Sequence, residues 1–501
     1  MQVILAGFNV DTEIIKELAQ KSAGTMEITP ESIAAAYARI SRSSKPVHEL
    51  RRLARTEVEK ARRSNRRIIF EMGHHSVAEH AVFNFDILGV SRLAIEEIEK
   101  FRLCSFTEKS QRYVVLENDF VIPEELSESA ERELFAQTIR KQNELYQRLL
   151  GELLHHLQDK HSDVASSPKG RSLLENLAKE DARYVTSMAT ESQLGLTVNA
   201  RNLELLFRRF ASHELHEIRE LGRAIYRTVE HVVPSIILFV EANPYDRDTY
   251  PELRRFAETL RKRVPAHGKE TEVDLADCTP DADLMTLSAL LHTSTRKSFR
   301  ACRRLAEAMT RKERMEWFKT AFNHMELYDS VLREFEYVRL TYSLVVSASC
   351  FAQLKRHRMA TITVQPYDPQ LGVTLPNSIR KIGGEDLFKE TITATDRAYR
   401  TLMKRYPLAA RYILTNAHRR RVLVGLNARE LYHVSRLRQD PNAQWDIRRI
   451  AGEMVRKART KMPLTMMLIG GKHEYPELYR KRFGHPPRVS EVPPPGLLSS
   501  E

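Results

Sequence analysis

Apolar residues occupy every second position at Ala81, Phe83, Phe85 and Ile87, with more polar neighbours between them. A period of two marks a half-buried β-strand. The alternation returns at Val338, Leu340, Tyr342 and Leu344. Around both strands the spacing lengthens to the helical period, predicting long helices over 131–156, 202–230 and 446–461. Gln2-Val3-Ile4-Leu5 before Asn9-Val10-Asp11 reads as a short strand and a helix start, and Glu272-Val273-Asp274-Leu275 before Thr279-Pro280-Asp281 repeats it. The pattern predicts an α+β (mixed α/β) fold, a small sheet flanked by long helices, used twice.

Further landmarks recur in the same order. Asn199-Ala200-Arg201 has its match in Asn427-Ala428-Arg429, and an Ala-Arg-Tyr stands 16 residues before each asparagine, at Arg183 and Arg411. Tyr-Pro-Glu-Leu follows at Tyr250 and again at Tyr475. The copies are offset by 270 residues at their starts, 228 at the asparagines and 225 at the tyrosines, so the second has lost segments. Tandem duplication follows, with a first domain over 1–255, a linker over 256–271, a second domain over 272–485 and a disordered tail over 486–501.

A chain of 501 residues is long enough for two cores. It holds no apolar run of about 18 residues, so no membrane span is expected. Its start lacks a basic leader, and its four cysteines have no regular spacing; together these point to a reducing, cytoplasmic compartment. The net charge of +13 points to anionic partners. The short pairs Arg62-Arg63 and Arg66-Arg67 and the run Arg419-Arg420-Arg421 suit a solvated face better than a nucleic-acid surface.

Gly73-His74-His75-Ser76-Val77-Ala78-Glu79-His80 gathers histidines without a completing cysteine or carboxylate cluster, and the histidines of His213-Glu214-Leu215-His216 are three apart instead of four. Neither is read as a metal site. Lys100-Phe101-Arg102, seven residues and Ser110-Gln111-Arg112 in the first copy answer Arg356-His357-Arg358, seven residues and Pro366 in the second. Guanidinium forks and a hydroxyl suit a phosphate. Arg438 follows Leu431 and Val434 by seven and four positions, on the apolar stripe of its helix. Two readings stand: a functional buried charge, or an arginine reaching the helix edge.

Jointly, Gly73 to His80, Arg356 to Arg358, Ser110 to Tyr113, Asn427 to Arg438 and Ala443 to Ile447 resemble the flavin-dependent thymidylate synthases, so that the chain is similar to two such domains fused. The resemblance implies FAD as cofactor, NADPH and methylenetetrahydrofolate as co-substrates, and reductive methylation of dUMP to dTMP in a site shared between subunits. It implies Ser110, Arg112, Glu108, Gln353, Arg356 and Arg411 as dUMP contacts, and His74, Ser76, Glu79, Arg356, His357, Arg358, Asn427, Arg429 and His433 as FAD contacts. Arg438 would polarise the uracil ring. The first copy has lost the Arg-His-Arg signature, and its late arginine is either Phe210 or Arg209; the second has lost the loop serine, with Tyr328-Asp329-Ser330-Val331 in place of the Gly-His segment. What one copy lost the other retains, which predicts one composite site per chain and a homodimer of fused chains standing in for a tetramer. The rivals are a nucleotide- or flavin-binding pseudoenzyme and a basic nucleic-acid-binding protein.

Overall fold

Alternation builds the centre of each copy. In the computed structural model, which describes residues 1–19, 28–40, 43–116, 119–260 and 270–489, strand β1 (Gln2–Phe8) is followed by β2 (Val82–Ser91), helix α1 (Arg92–Ile98) and β3 (Cys104–Glu108). Then come β4 (Glu191–Asn199) and helices α2 (Ala200–Ala211), α3 (His216–Val229) and α4 (Pro244–Leu260). The second copy runs β5 (Val273–Cys278), β6 (Arg339–Ser347), α5 (Ala348–Leu354), β7 (Thr361–Val364), β8 (Arg419–Asn427), α6 (Ala428–Arg438), α7 (Trp445–Lys461) and α8 (Tyr475–Phe483). Phe83, Phe85 and Ile87 of β2, and Leu340, Tyr342 and Leu344 of β6, are buried as their period required.

Both sheets are antiparallel and share one strand order, β1-β2-β4-β3 and β5-β6-β8-β7. Val82 faces Asn199 and Ser91 faces Glu191; Arg339 faces Asn427 and Ser347 faces Arg419. The only difference in β2 is one extra residue at a bulge between Leu88 and Val90, where Gly89 takes φ +67°. Shared order and register are what a duplication leaves behind. The helix expected over 202–230 is two helices, α2 and α3. His213 interrupts it: its Nδ1 accepts the Leu215 amide at 3.1 Å while Nε2 lies 3.3 Å from Glu97.

The chain forms two compact units, Met1–His267 with Leu375–Asn416, and Gly268–Thr374 with Ala417–Glu501. A segment of the second copy therefore belongs to the first unit, which a linear division of the chain does not show. Its helix Glu385–Met403 is held to helix Ser129–Lys160 through Gln142, whose Nε2 donates to Thr395 Oγ1 and to the Ile413 carbonyl, both at 2.9 Å. Met188 and Ala189 amides donate to the Leu414 and Tyr412 carbonyls at 2.8 Å. Of the expected linker, 256–260 is the last part of α4, while 261–269 lies outside the described residues, as does the tail from 490. No helix of the described residues is long and apolar enough to cross a membrane.

Candidate functional site

In the second unit, α5 and α6 leave opposite ends of the neighbouring strands β6 and β8. Ser347 caps α5, its Oγ accepting the Cys350 amide and donating to Asp446; Asn427 caps α6 through Oδ1, which accepts the Glu430 amide at 2.7 Å. The C-terminal ends of the two helices then meet. Arg438 Nη1 donates to Gln353 Oε1 and its Nε donates to His357 Nε2, each at 3.0 Å. Its guanidinium is half-buried and doubly held, so neither a plain snorkel nor a fully buried charge describes it.

His357 is buried, and its Nδ1 lies 3.4 Å from Glu430. Since Nε2 accepts, the proton sits on Nδ1, facing that carboxylate. Burial pushes the His357 pKa below its ordinary value; Glu430 pulls it up and Arg438 pushes it further down. The ring of His433 stands edge-on to His357, 5.6 Å between centroids, and is exposed. Arg356 and Arg358 follow α5 in the same unit. Arg429 Nη1 donates to Glu336 at 2.6 Å. The first copy repeats this pair as Arg201 and Glu79 at 2.5 Å. Glu336 precedes β6 by three residues, as Glu79 precedes β2, so the counterpart of the Gly-His segment is the 3₁₀ turn Arg333–Tyr337 and not Tyr328 to Val331. His74, just before the turn His75–His80 of the first unit, and Ser76 within it are exposed.

The first unit gathers a different set. Arg112 Nη2 pairs with Glu180 at 2.5 Å, and Arg92 Nη1 lies 3.6 Å from Glu108. Arg92 Nε donates to Asn416 Oδ1 at 3.2 Å; Asn416 Nδ2 in turn serves Gln111 Oε1, Thr186 Oγ1 and the Arg183 carbonyl. Arg183 is buried, its pKa lowered by that burial and by Arg92 and Arg112 nearby. Arg92, Arg112 and Arg183 thus stand close together, with Glu108 and Glu180 among them. Arg183 Nη2, Gln111 Nε2 and Ser187 Oγ are buried without a hydrogen-bond partner among the described residues. Orphaned donors on Arg183 and Gln111 beside further guanidiniums are chemistry that fits an anionic ligand. Ser110, whose Oγ accepts the Arg112 amide at 3.2 Å, orders the same loop. Arg411 belongs to this unit but is paired with Glu214.

Sequence reasoning missed Arg92, Glu180, Asn416 and Glu430. Arg183 it found only as a landmark of the repeat. Arg92 and Glu180 sit on helices and Asn416 in a turn, and only the fold brings these three to the loop, while Glu430 faces His357 in the second unit.

The losses are built differently in each copy. At the counterparts of His357 and Arg438 the first copy packs Phe101 against Phe210, 5.8 Å between centroids, which makes Phe210 and not Arg209 the replacement. Glu97, at the place of Gln353, faces Lys100 and His213. Burial raises its pKa, but the hydrogen bond from His213 and the charge of Lys100 outweigh it and hold the carboxyl at about 2. In the second copy Val364, Pro366 and Asp368 stand where the first has Glu108, Ser110 and Arg112. The basic run is internally satisfied: Arg419 and Arg421 pair with Glu272 and Glu270, and Arg420 lies between Phe351 and Tyr367. Among the described residues no three histidine, cysteine or carboxylate side chains form a metal-binding group.

A family model described as thymidylate synthase complementing protein matches the chain twice, over residues 25–235 and 274–464. A flavin-dependent thymidylate synthase of Clostridium tetani is 30% identical over 214 residues, 42% of this chain and 82% of that protein. The UPF0159 protein Ta1429 of Thermoplasma acidophilum is 24% identical over 472 residues, 86% of this chain and 93% of that one. A Chlamydia muridarum UPF0159 protein is 23% identical over 80% of this chain and 79% of its own length. Among solved structures, thymidylate synthase X from Helicobacter pylori with FAD and dUMP aligns at 18% identity over 47% of this chain and 99% of that chain. Its TM-score of 0.30 is too low to carry an inference.

Proposed function

The chain belongs to the thymidylate synthase complementing protein family, and from that premise we propose that it is a flavin-dependent thymidylate synthase converting dUMP to dTMP. Methylenetetrahydrofolate and NADPH are its co-substrates, and it acts as a homodimer of fused chains. The observation that carries the reading is the division of polar machinery: each copy keeps a buried or half-buried charged constellation where the other has aromatic, proline or aliphatic residues.

The residues fit the ligands this requires. The orphaned donors of Arg183 and Gln111, with Arg112 and Ser110, suit the phosphate of a nucleotide. Arg183 joins this set because its Nη2 is buried without a partner among the described residues, and Arg411, paired with Glu214 as Arg112 is with Glu180, remains a candidate contact. Around α6 the exposed ring of His433 and the cations of Arg429, Arg356 and Arg358 suit an anionic, aromatic cofactor such as FAD. When bound and reduced, FAD supplies the hydride. Arg438 supplies electrostatics: a fixed positive charge draws electron density from a uracil carbonyl, making the ring a better acceptor. His357 and Gln353 orient that guanidinium, and neutral His357 adds no competing charge. Both constellations serve one reaction, so losing either abolishes it.

Titrating the purified chain with FAD, with and without saturating dUMP, tests the reading. About one flavin per chain, its visible spectrum altered by dUMP, together with dTMP formation, is the expected result. Flavin binding without turnover would support the pseudoenzyme, a reading favoured by the Phe101–Phe210 pair. No flavin binding would refute both.

A further inference from the structure

The Tyr-Pro-Glu-Leu motif meets two different fates, and the comparison exposes an interaction surface. In the second unit the chain turns at Gly470-Gly471, and α8 folds back onto the core. Tyr475 is fully buried there, its hydroxyl donating to the Met325 carbonyl at 2.6 Å and its ring covered by Arg436 at 3.7 Å. Tyr479 donates to the Asn323 carbonyl. A Cβ at Gly471 would lie 2.9 Å from the Gln439 carbonyl oxygen, so this turn needs glycine.

At the 225-residue offset the first copy has Tyr245-Asp246 at these positions. There is no turn: α4 runs unbroken from Pro244 to Leu260. Arg208, the counterpart of Arg436, is taken by Asp246 at 2.7 Å instead of covering a tyrosine. Tyr250, the counterpart of the buried Tyr475, is carried into solvent on α4 together with further apolar residues. Tyr245, Tyr250, Leu253, Phe256 and Leu260 are 68%, 63%, 56%, 67% and 38% exposed. At 100° per residue they fall within an arc of about 140°. Single exposed apolar residues are ordinary, but a stripe of five is a docking face.

We infer that α4 is a dimerisation arm whose face packs, antiparallel, on the same face of a second copy of this chain. Several observations favour that occupant. The same motif in the second copy is covered by protein of this chain. The helix carries Asp246, Asp248, Glu252 and Glu258 against Arg247, Arg254 and Arg255. That mixture is self-complementary and opposes an anionic membrane or a nucleic acid, either of which needs a basic face. A two-fold axis at Leu253 sets Leu253 on its own copy and Tyr250 against Phe256, an isologous contact. Five such side chains from each copy cover on the order of 1,000 Å², enough for a specific interface at the small end.

This surface does not rest on the proposed reaction. The test is sedimentation velocity of the full chain against L253D/F256D, with disulfide trapping of L253C under mild oxidation. The altered side chains are exposed, so the variants fold. The expected result is at least a 100-fold weaker association for the double variant and a cross-linked dimer for L253C but not for wild type. Unchanged mass in L253D/F256D overturns the inference. So does a monomeric wild type, whether its face is then covered by its own chain, shown by a lowered melting temperature in the variant, or by lipid vesicles it binds.

Discussion

Replacing His357 and Arg438 by phenylalanine recreates in the second copy the pair that the first copy already carries as Phe101 and Phe210. The energetics follow from the contacts. Arg438→Phe alone leaves the buried His357 Nε2 without its donor, and His357→Phe alone leaves Arg438 Nε and Glu430 facing a ring. Each single change should cost about 2 kcal/mol, the ordinary penalty for an orphaned buried polar group. The double variant removes both polar partners together, and Gln353 is exposed enough to rehydrate. Its cost should therefore fall short of the sum by about 2 kcal/mol, within the usual range of coupling between contacting residues. The assay is direct, because Trp317 and Trp445, the only tryptophans of the chain, both lie in the second unit. Urea unfolding followed by tryptophan fluorescence thus reports this unit. Turnover should fall at least about 100-fold in any variant lacking Arg438, the usual loss when one transition-state donor is removed. Additive stability costs would refute the coupled arrangement, and a double variant still forming dTMP at the wild-type rate would refute the role of Arg438.

Other changes probe the remaining sites. Arg183→Met removes a buried guanidinium that nothing fully satisfies, so the fold should shift by no more than about 1 kcal/mol, while calorimetry should show dUMP binding weakened at least about 10-fold. Because His357 resists the proton that the unfolded chain accepts, second-unit stability should fall as pH drops below about 6.5. H357Q should flatten that slope; an unchanged slope would mean that His357 titrates normally. Gly471→Val drives a side chain into the Gln439 carbonyl and should cost about 1–3 kcal/mol by the same fluorescence assay; no loss would show that the turn tolerates a Cβ.

Duplication made much of this fold legible. Period-two strands gave β2 and β6, and matched landmarks gave two copies that prove to share strand order and register. Local pattern could not show the break at His213, whose side chain there meets Glu97, far away in sequence. Nor could it show that 375–416 belongs to the first unit: Gln142 meets Thr395 across 253 residues, and no periodicity encodes a pairing of that length. The site divides in the same way. Gln353, His357 and Arg438 were legible because they belong to contiguous motifs on α5 and α6, and a helical wheel already placed Arg438 among apolar neighbours.

Arg92 and Asn416 were not legible, because their meaning arises only where a helix start, a loop and an exchanged segment converge. A three-guanidinium cluster made from residues so scattered suits the anionic ligand proposed for it. Its survival beside a loop that lost its counterpart in the other copy argues that the two copies were not decaying independently. On the proposed composite reading, each could give up one half of its charged machinery because the other retained it. The apolar pair Phe101–Phe210 and the loop residue Pro366 are then the low-energy fillings of places where charge no longer had work to do, since an unpaired buried charge is worse than a ring.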